Sequence, residues 1–497
     1  RDVGRALNMG YGEVDALAKL IPQKPGMDIT IDKALEMEPD FKAKSERPEY
    51  KRLMAYSRKL EGITRNLGMH AGGVLIAPGK LTDFCPLYNA DGKPENTVSQ
   101  YDKKDVENVG LVKFDFLGLT TLTILAKAVE YMDRLTPGKH FDLARIPVDD
   151  PETLKLFQEG NTGAVFQFES EGMRDQLRKA KPDCLEDLVA LNALYRPGPM
   201  DFIPKYIAGK QNAGSVTYDA KELVPILEPT YGCIVYQEQV MQIVQELGGY
   251  SLGRADLVRR AMSKKKTHVM EEERHNFVEG NAKEQVPGCV SKGIPKETAN
   301  HIYDTMIDFA KYAFNKSHAA CYAIVTYQTA WLKYYYPTEF MAALLTSVID
   351  FPAKVAGYIL ACRDMHIKLL PPDINEGVAG FSVAGGAIRY SLTAIKGVGE
   401  PVIQAIVRER EANGKFRDLQ DFIGRTTGLA VNRRVVESLI KSGAFDCFGV
   451  TRKQMMSVYI RMMEEQANAA KNNMAGQMSL RMCKPFHLQN GPRSPWA

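Results

Sequence analysis

The stretch that most restricts the fold runs from Val109 to Leu119, Val-Gly-Leu-Val-Lys-Phe-Asp-Phe-Leu-Gly-Leu, which alternates like a strand inside a chain whose other apolar spacing is mostly helical. Strand side chains point to opposite faces in turn, so Leu111, Lys113 and Asp115 share one face. Val112, Phe114 and Phe116 share the other, which is expected to enter a core. Lys113 and Asp115 are then neighbours. A carboxylate at a strand end beside a cation suits metal-assisted phosphate chemistry, and a plain salt bridge is the alternative. Gly118 ends the strand, and Thr120 or Thr121 is placed to cap a helix with Leu122, Leu125, Ala128, Val129 and Met132 on one face.

A chain of 497 residues exceeds one core and is expected to divide into roughly three or four domains. With a net charge of only +4, any nucleic-acid surface must come from local clustering. The eight cysteines include no C-x-x-C pair, which argues against a zinc site or disulfide framework and for a reducing, cytoplasmic setting. No run approaches a membrane span and no signal-peptide pattern opens the chain. The opening at Arg1 is expected of a piece of a longer protein.

Residues 1 to about 70 read as short basic helices broken at Pro22, Pro25 and Pro39, with Arg52, Arg58, Lys59 and Arg65 available to a phosphate backbone or simply to solvent. Gly72-Gly73, Val74 to Ile76, Val98 to Tyr101 and the opening strand read as one small sheet. Beyond Thr136-Pro-Gly138 the pattern is mostly helical. Tyr195-Arg-Pro-Gly-Pro199 is a rigid corner able to present Arg196. Tyr236, Val240, Ile243, Val244 and Leu247 form a core stripe stopped at Gly248-Gly249. Arg254, Arg259, Arg260 and Lys264 to Lys266 place six cations in thirteen residues. A helix C-terminus accounts for two or three of them, and a polyanion would use all six.

Lys311-Tyr-Ala-Phe-Asn-Lys-Ser-His318 leads into a helix with Ala320, Ile324, Tyr327, Trp331 and Tyr334 on one face and Ser317 as its cap. Its N-terminus, with Lys316 and His318, is an expected anion site. Gly385-Gly386 reads as a hairpin turn. Lys396, Gly397, Val398 and Gly399 form a Gly-x-Gly turn between helical segments, through which backbone N–H groups approach a DNA phosphate. Asn432-Arg433-Arg434 opens a second such unit, a helix-hairpin-helix arrangement whose alternative is a simple tight turn.

Five of these clusters occur in the order found in the C family of bacterial replicative DNA polymerases: Lys-Phe-Asp-Phe-Leu-Gly118, Arg-Arg-Ala-Met-x-Lys-Lys-Lys266, Phe-Asn-Lys-Ser-His318, Leu-Pro-Pro-Asp-Ile-Asn375 and Ile-Lys-Gly-Val-Gly399. The chain resembles that family over residues 1 to about 480. The resemblance implies an α+β, multidomain, mostly helical fold, in which a partial polymerase-beta-like nucleotidyltransferase palm is joined to a helical thumb and fingers. It implies thumb at 1–70, palm at 71–120 and fingers at 121–380; the hairpin and tandem helix-hairpin-helix are expected at 381–447 and a helix and linker at 448–480, and the tail at 481–497 is off-pattern. Asp115 would be a metal-binding aspartate and Lys113 a triphosphate contact. Arg259 and Arg260 would hold phosphates, and Tyr312, Asn315, Lys316, Ser317 and His318 would line the nucleotide pocket. Arg58, Arg65, Lys396 to Gly399 and Arg433 would meet DNA.

The implied reaction is primer extension on a DNA template from dNTPs with two Mg²⁺ ions. Sliding clamp and other replicase subunits are the implied partners, with 3′–5′ exonuclease activity outside this chain. Two features depart from the family pattern. The partner aspartates of Asp115 would lie upstream of Arg1, so the chain alone is expected to be inactive. Gln477-Met-Ser-Leu480 resembles the start of the family's clamp-binding peptide, yet Arg481 stands where an aromatic belongs. The competing expectation is a non-catalytic DNA- and clamp-binding module.

Overall fold

The computed structural model describes residues 1–22, 29–63, 67–103, 105–138, 140–263, 267–310 and 312–472. Arg65, the Lys264 to Lys266 run and the Gln477 to Leu480 peptide lie outside them. Two compact units form, one from Arg1–Thr120 with Asp175–Ile324 and the other from Thr121–Arg174 with Val325–Ala497. Among the described residues no helix is long and apolar enough to cross a membrane.

In the first unit, short helices between Asp2 and Leu60 enclose Val14, Leu17, Phe41, Tyr50 and Leu53. Strand Gly73–Ile76 then pairs antiparallel with Val112–Asp115, setting Leu75 opposite Lys113 and Gly73 opposite Asp115. Leu87–Tyr88 and Val98–Ser99 make a separate ribbon, so two two-stranded sheets replace the expected single one. The expected burial is also reversed. Val112, Phe114 and Phe116 are 53%, 46% and 68% exposed. A two-stranded ribbon covers one face at most, and here Leu75 packs with Cys85, Val106 and Leu111 on the Lys113 side.

Further along the same unit, helix Gln237–Gly248 buries Val240, Ile243, Val244 and Leu247 against Phe277 and Tyr303. It ends as expected: Gly249 takes φ 74° and its N–H reaches Gln245 O at 3.0 Å.

In the second unit, helix Thr120–Leu135 buries Leu125, Ala128, Val129 and Met132, while Leu122 is exposed. Tyr131 donates its hydroxyl to Phe381 O at 2.5 Å, fastening this helix to the strand region. Ser382–Ala384 and Ala387–Arg389 form the expected hairpin through Gly385 and Gly386, with Leu369–Leu370 added in parallel. Four helices, Glu400–Asn413, Leu419–Thr426, Arg433–Ser442 and Arg452–Asn472, then surround Ile403, Ile406, Phe422, Val436, Leu439 and Phe445. Asn375 seals this cluster by bonding both the N–H and the carbonyl of Phe416 at 2.8 Å.

Helix Lys316–Tyr335 departs from its expected face. Ala319, Ala323, Thr326, Tyr327, Ala330 and Leu332 are buried, whereas Trp331, Tyr334 and Tyr335 join an outer aromatic stack. Small residues let neighbouring backbone approach closely, so the alanines, together with the single buried ring of Tyr327, mark the inner side.

Near its C-terminus Lys333 donates to Asn161 O at 2.6 Å and Gly163 O at 2.8 Å. Burial, with Arg174 nearby, brings its pKa down from 10.5 to about 8. The folded state therefore holds a neutral amine where the unfolded chain holds an ammonium, and raising pH through this window favours folding. The melting temperature of the wild type should rise relative to Lys333→Met between pH 8 and 10.5. Parallel pH profiles for the two proteins would contradict this.

Candidate nucleotide and nucleic-acid site

The strand end carries the first cluster. Lys113 Nζ lies 2.9 Å from Asp115 Oδ1 and 3.2 Å from Oδ2. The hydrogen bond from Lys113 holds the Asp115 carboxyl below its usual range, so it is ionised at neutral pH. Lys113 is packed along its stem, at 18% exposure, while Asp115 is about half exposed. The pair thus presents one carboxylate and one ammonium to solvent from a defined strand position. His70, which sequence reading passed over, lies 3.8 Å from Asp115. The signal was available in His70-Ala-Gly-Gly73, immediately before the strand.

The second cluster joins residues distant in sequence. Phe314 N–H donates to Val235 O at 3.2 Å and Gln237 N–H to Phe314 O at 2.9 Å. The Gln237 side chain donates to Ala313 O at 3.2 Å and accepts from Arg259 at 3.0 Å. Arg196 donates to Tyr312 O and stacks over the Phe314 ring at 4.4 Å. Gly198, at φ 99°, allows the Tyr312 ring so close that a Cβ would sit 2.5 Å from it. Arg259, Asn315 and Lys316 are thereby gathered around Gln237 and Glu238, while Tyr312 sits at the Arg196 corner. Ser317 and His318 follow in the first turn of the helix, where His318 stacks on Tyr322 at 4.3 Å.

Asn315, not Ser317, caps this helix. Its Oδ1 accepts the His318 N–H at 2.8 Å, because the helix starts two residues earlier than the sequence indicates. The expected anion site is already filled from within. The Glu238 carboxylate accepts the Lys316 N–H at 3.0 and 3.1 Å and the Asn315 side chain at 2.9 Å. A helix N-terminus attracts the nearest anion, and the first turn of Gln237–Gly248 supplies one.

The arginines are compensated in the same way. Asp256 takes Arg259 at 2.6 Å and Arg260 at 2.7 Å, and the bond from Arg259 keeps its acid below the ordinary range. Arg254 is committed to Glu273 and Glu284, so it stands apart from the two arginines held by Asp256. Among the described residues no hydrogen bond or ion pair joins the Lys113–Asp115 pair to this second cluster. The only three-residue group of metal-ligand type described, Asp183, Cys184 and Asp187, is occupied by the Lys210 ammonium at 2.8 and 2.7 Å from the two carboxylates.

In the second unit, Lys396 and Gly397 are exposed, and Gly397 takes φ 87° beside Ser438 and Arg434. Val398 is buried and its N–H is spent on Ile395 O, so it offers no contact of its own. Residues before Gly397 form turns rather than the expected helix, and Gly399 opens helix Glu400–Asn413. Asn432 caps helix Arg433–Ser442, and Arg433 pairs with Glu464 at 2.7 Å. In the first unit Arg58 pairs with Asp32 at 2.9 Å.

Replacing Glu238 with Ala should lower unfolding free energy by about 1 kcal/mol, as loss of a helix cap does, and Glu238→Gln, which keeps an acceptor oxygen, by less. Equal effects of the two changes in denaturant titrations would contradict the cap.

Three family models match: a bacterial DNA polymerase III alpha NTPase domain over residues 1–118, its finger domain over 121–285 and a helix-hairpin-helix motif over 366–455. DNA polymerase III subunit alpha of Escherichia coli K12 is 48% identical over 97% of the chain, and that of Pasteurella multocida Pm70 matches equally. The Neisseria meningitidis MC58 protein is 46% identical over 99%. The chain spans 42% of the length of each of these relatives. On this similarity along nearly its whole length, the chain belongs to the bacterial DNA polymerase III alpha subunit family.

Proposed function

We propose that this chain supplies thumb (1–70), palm (71–120), fingers (121–380) and helix-hairpin-helix (381–447) to a replicative polymerase that extends a primer 3′-hydroxyl on a DNA template. The observation that carries the reading is the Lys113–Asp115 pair, a carboxylate and an ammonium 2.9 Å apart at an open strand end. Lys113 attracts the incoming triphosphate. Asp115 suits one position on a hard divalent cation, with Mg²⁺ expected, but one carboxylate cannot complete an octahedron. Such an ion, when bound, neutralises phosphate charge and orients the attacking and leaving oxygens.

In the second cluster, Arg259 and Arg260 exchange Asp256 for phosphate oxygens, and Tyr312 offers a ring for base or sugar. Asn315, Lys316, Ser317 and His318 complete the nucleotide pocket, with Glu238 giving way to, or bordering, the bound anion. Arg58, Arg65, Lys396, Gly397, Gly399 and Arg433 track the DNA backbone, whose high charge density rewards cations released from weak surface pairs. Sliding clamp, through Gln477, Met478, Ser479 and Leu480, and other replicase subunits are the expected protein partners, in the cytoplasm. A second reading, favoured by the single carboxylate, is that the chain alone acts as a DNA-binding module.

Two experiments test this. The 497-residue chain should give no primer extension with activated DNA, dNTPs and Mg²⁺; robust templated synthesis would show the metal centre to be misassigned. In fluorescence anisotropy, Lys396→Ala and Arg433→Ala should each weaken primer-template binding and reduce the salt slope by about one. An unchanged slope would remove these residues from the interface.

A further inference from the structure

We propose that His70 is a positioning residue for Asp115 and Lys113, a role that rests on the reading of Asp115 as a working carboxylate. Its Nδ1 accepts the N–H of Gly73 at 2.6 Å and of Gly72 at 3.2 Å. Those two residues touch the strand that carries the site. Gly72 O accepts the Phe116 N–H at 2.7 Å, and Gly73 stands opposite Asp115 in the ribbon register.

Space around the glycines shows how tightly the parts are nested. A Cβ at Gly72 would lie 2.5 Å from the Phe116 carbonyl oxygen. A Cβ at Gly73 would lie 2.7 Å from His70 Nδ1 and 3.0 Å from Lys113 Cε. The imidazole therefore lies against one side of the Gly72-Gly73 backbone, with the Asp115 strand close by. Gly73–Asp115 is the last pair of a four-residue ribbon, and a two-stranded ribbon is marginal by itself. His70 closes that open end, so the carboxylate keeps its place beside Lys113.

The bond pattern, from a side-chain acceptor to the N–H groups two and three residues on, is one that asparagine also makes. The oxygen of H70N can replace Nδ1, but nothing in it replaces Nε2. H70A removes both. The pair of variants separates positioning from direct chemistry by the ring.

In the chain itself, H70A should speed hydrogen exchange at the Gly72, Gly73 and Phe116 amides by about tenfold or more, while H70N stays near wild type. In the protein at the length of its relatives, H70A should lower kcat for primer extension by about ten- to a hundredfold with little change in KM for dNTP, and H70N should restore most of it. Unchanged exchange and kcat in H70A would overturn the proposal. So would H70N failing as badly as H70A in kcat while keeping its amides protected, because the other ring nitrogen would then be acting. Asp115→Asn is the control for the underlying reading: wild-type extension by that variant would remove the working carboxylate, while the exchange data would still report whether His70 holds the strand end.

Discussion

Charge compensation is the constraint to which the candidate site conforms. A surface that handles polyanions must hold cations close together, and an unfilled cluster of them repels itself. Here each candidate group with a described ionic contact is matched by a carboxylate of the chain: Lys113 with Asp115, Arg259 and Arg260 with Asp256, the helix Lys316–Tyr335 N-terminus with Glu238, Arg433 with Glu464 and Arg58 with Asp32. This matching explains how a net charge of only +4 is compatible with the proposed phosphate-binding role. Mostly exposed pairs such as Arg58–Asp32 contribute little to stability, so a phosphate can replace the carboxylate at small cost. Arg254, sequestered between two glutamates at 16% exposure, belongs to the scaffold.

The second cluster depends on backbone pairing more than on charge. Tyr236 and Phe314 form a bridge, and Gln237 secures it by donating its main-chain N–H to Phe314 O and its side-chain amide to Ala313 O. The Asn315 and Lys316 side chains are thereby held at the start of helix Lys316–Tyr335. Close approach at Gly198 sets Tyr312 against the Arg196 corner. None of these residues is rigid by propensity alone; each is fixed by a partner far away in sequence.

That separation also explains how much could be read beforehand. Alternation identified the strand and set Lys113 beside Asp115, but period two leaves open which face is covered, and the small Leu75, Cys85 and Leu111 cluster chose the Lys113 side. The stripe from Tyr236 to Leu247 and its Gly248-Gly249 stop were legible because helix period and a left-handed glycine are local signals. Glu238 was not, since its bonds span the distance to Asn315 and Lys316. Nor was the cap at Asn315, because Asn and Ser are both good caps and only the observed helix start decides between them. His70 carries no periodic signal at all; its meaning comes from the two glycines beyond it.

The central claim is that the Lys113–Asp115 strand end and the Tyr312 to His318 segment serve one nucleotide. The most direct measurement is covalent mapping. A dNTP carrying an amine-reactive group on its terminal phosphate and a photoreactive base is bound to the chain with primer-template DNA and Mg²⁺, and the labelled peptides are identified by mass spectrometry. The account predicts phosphate-end labelling at Lys113 or Lys316 and base-end labelling within the 312–318 segment. Labelling confined to the helix-hairpin-helix region around Lys396, or spread evenly over surface lysines, would contradict it.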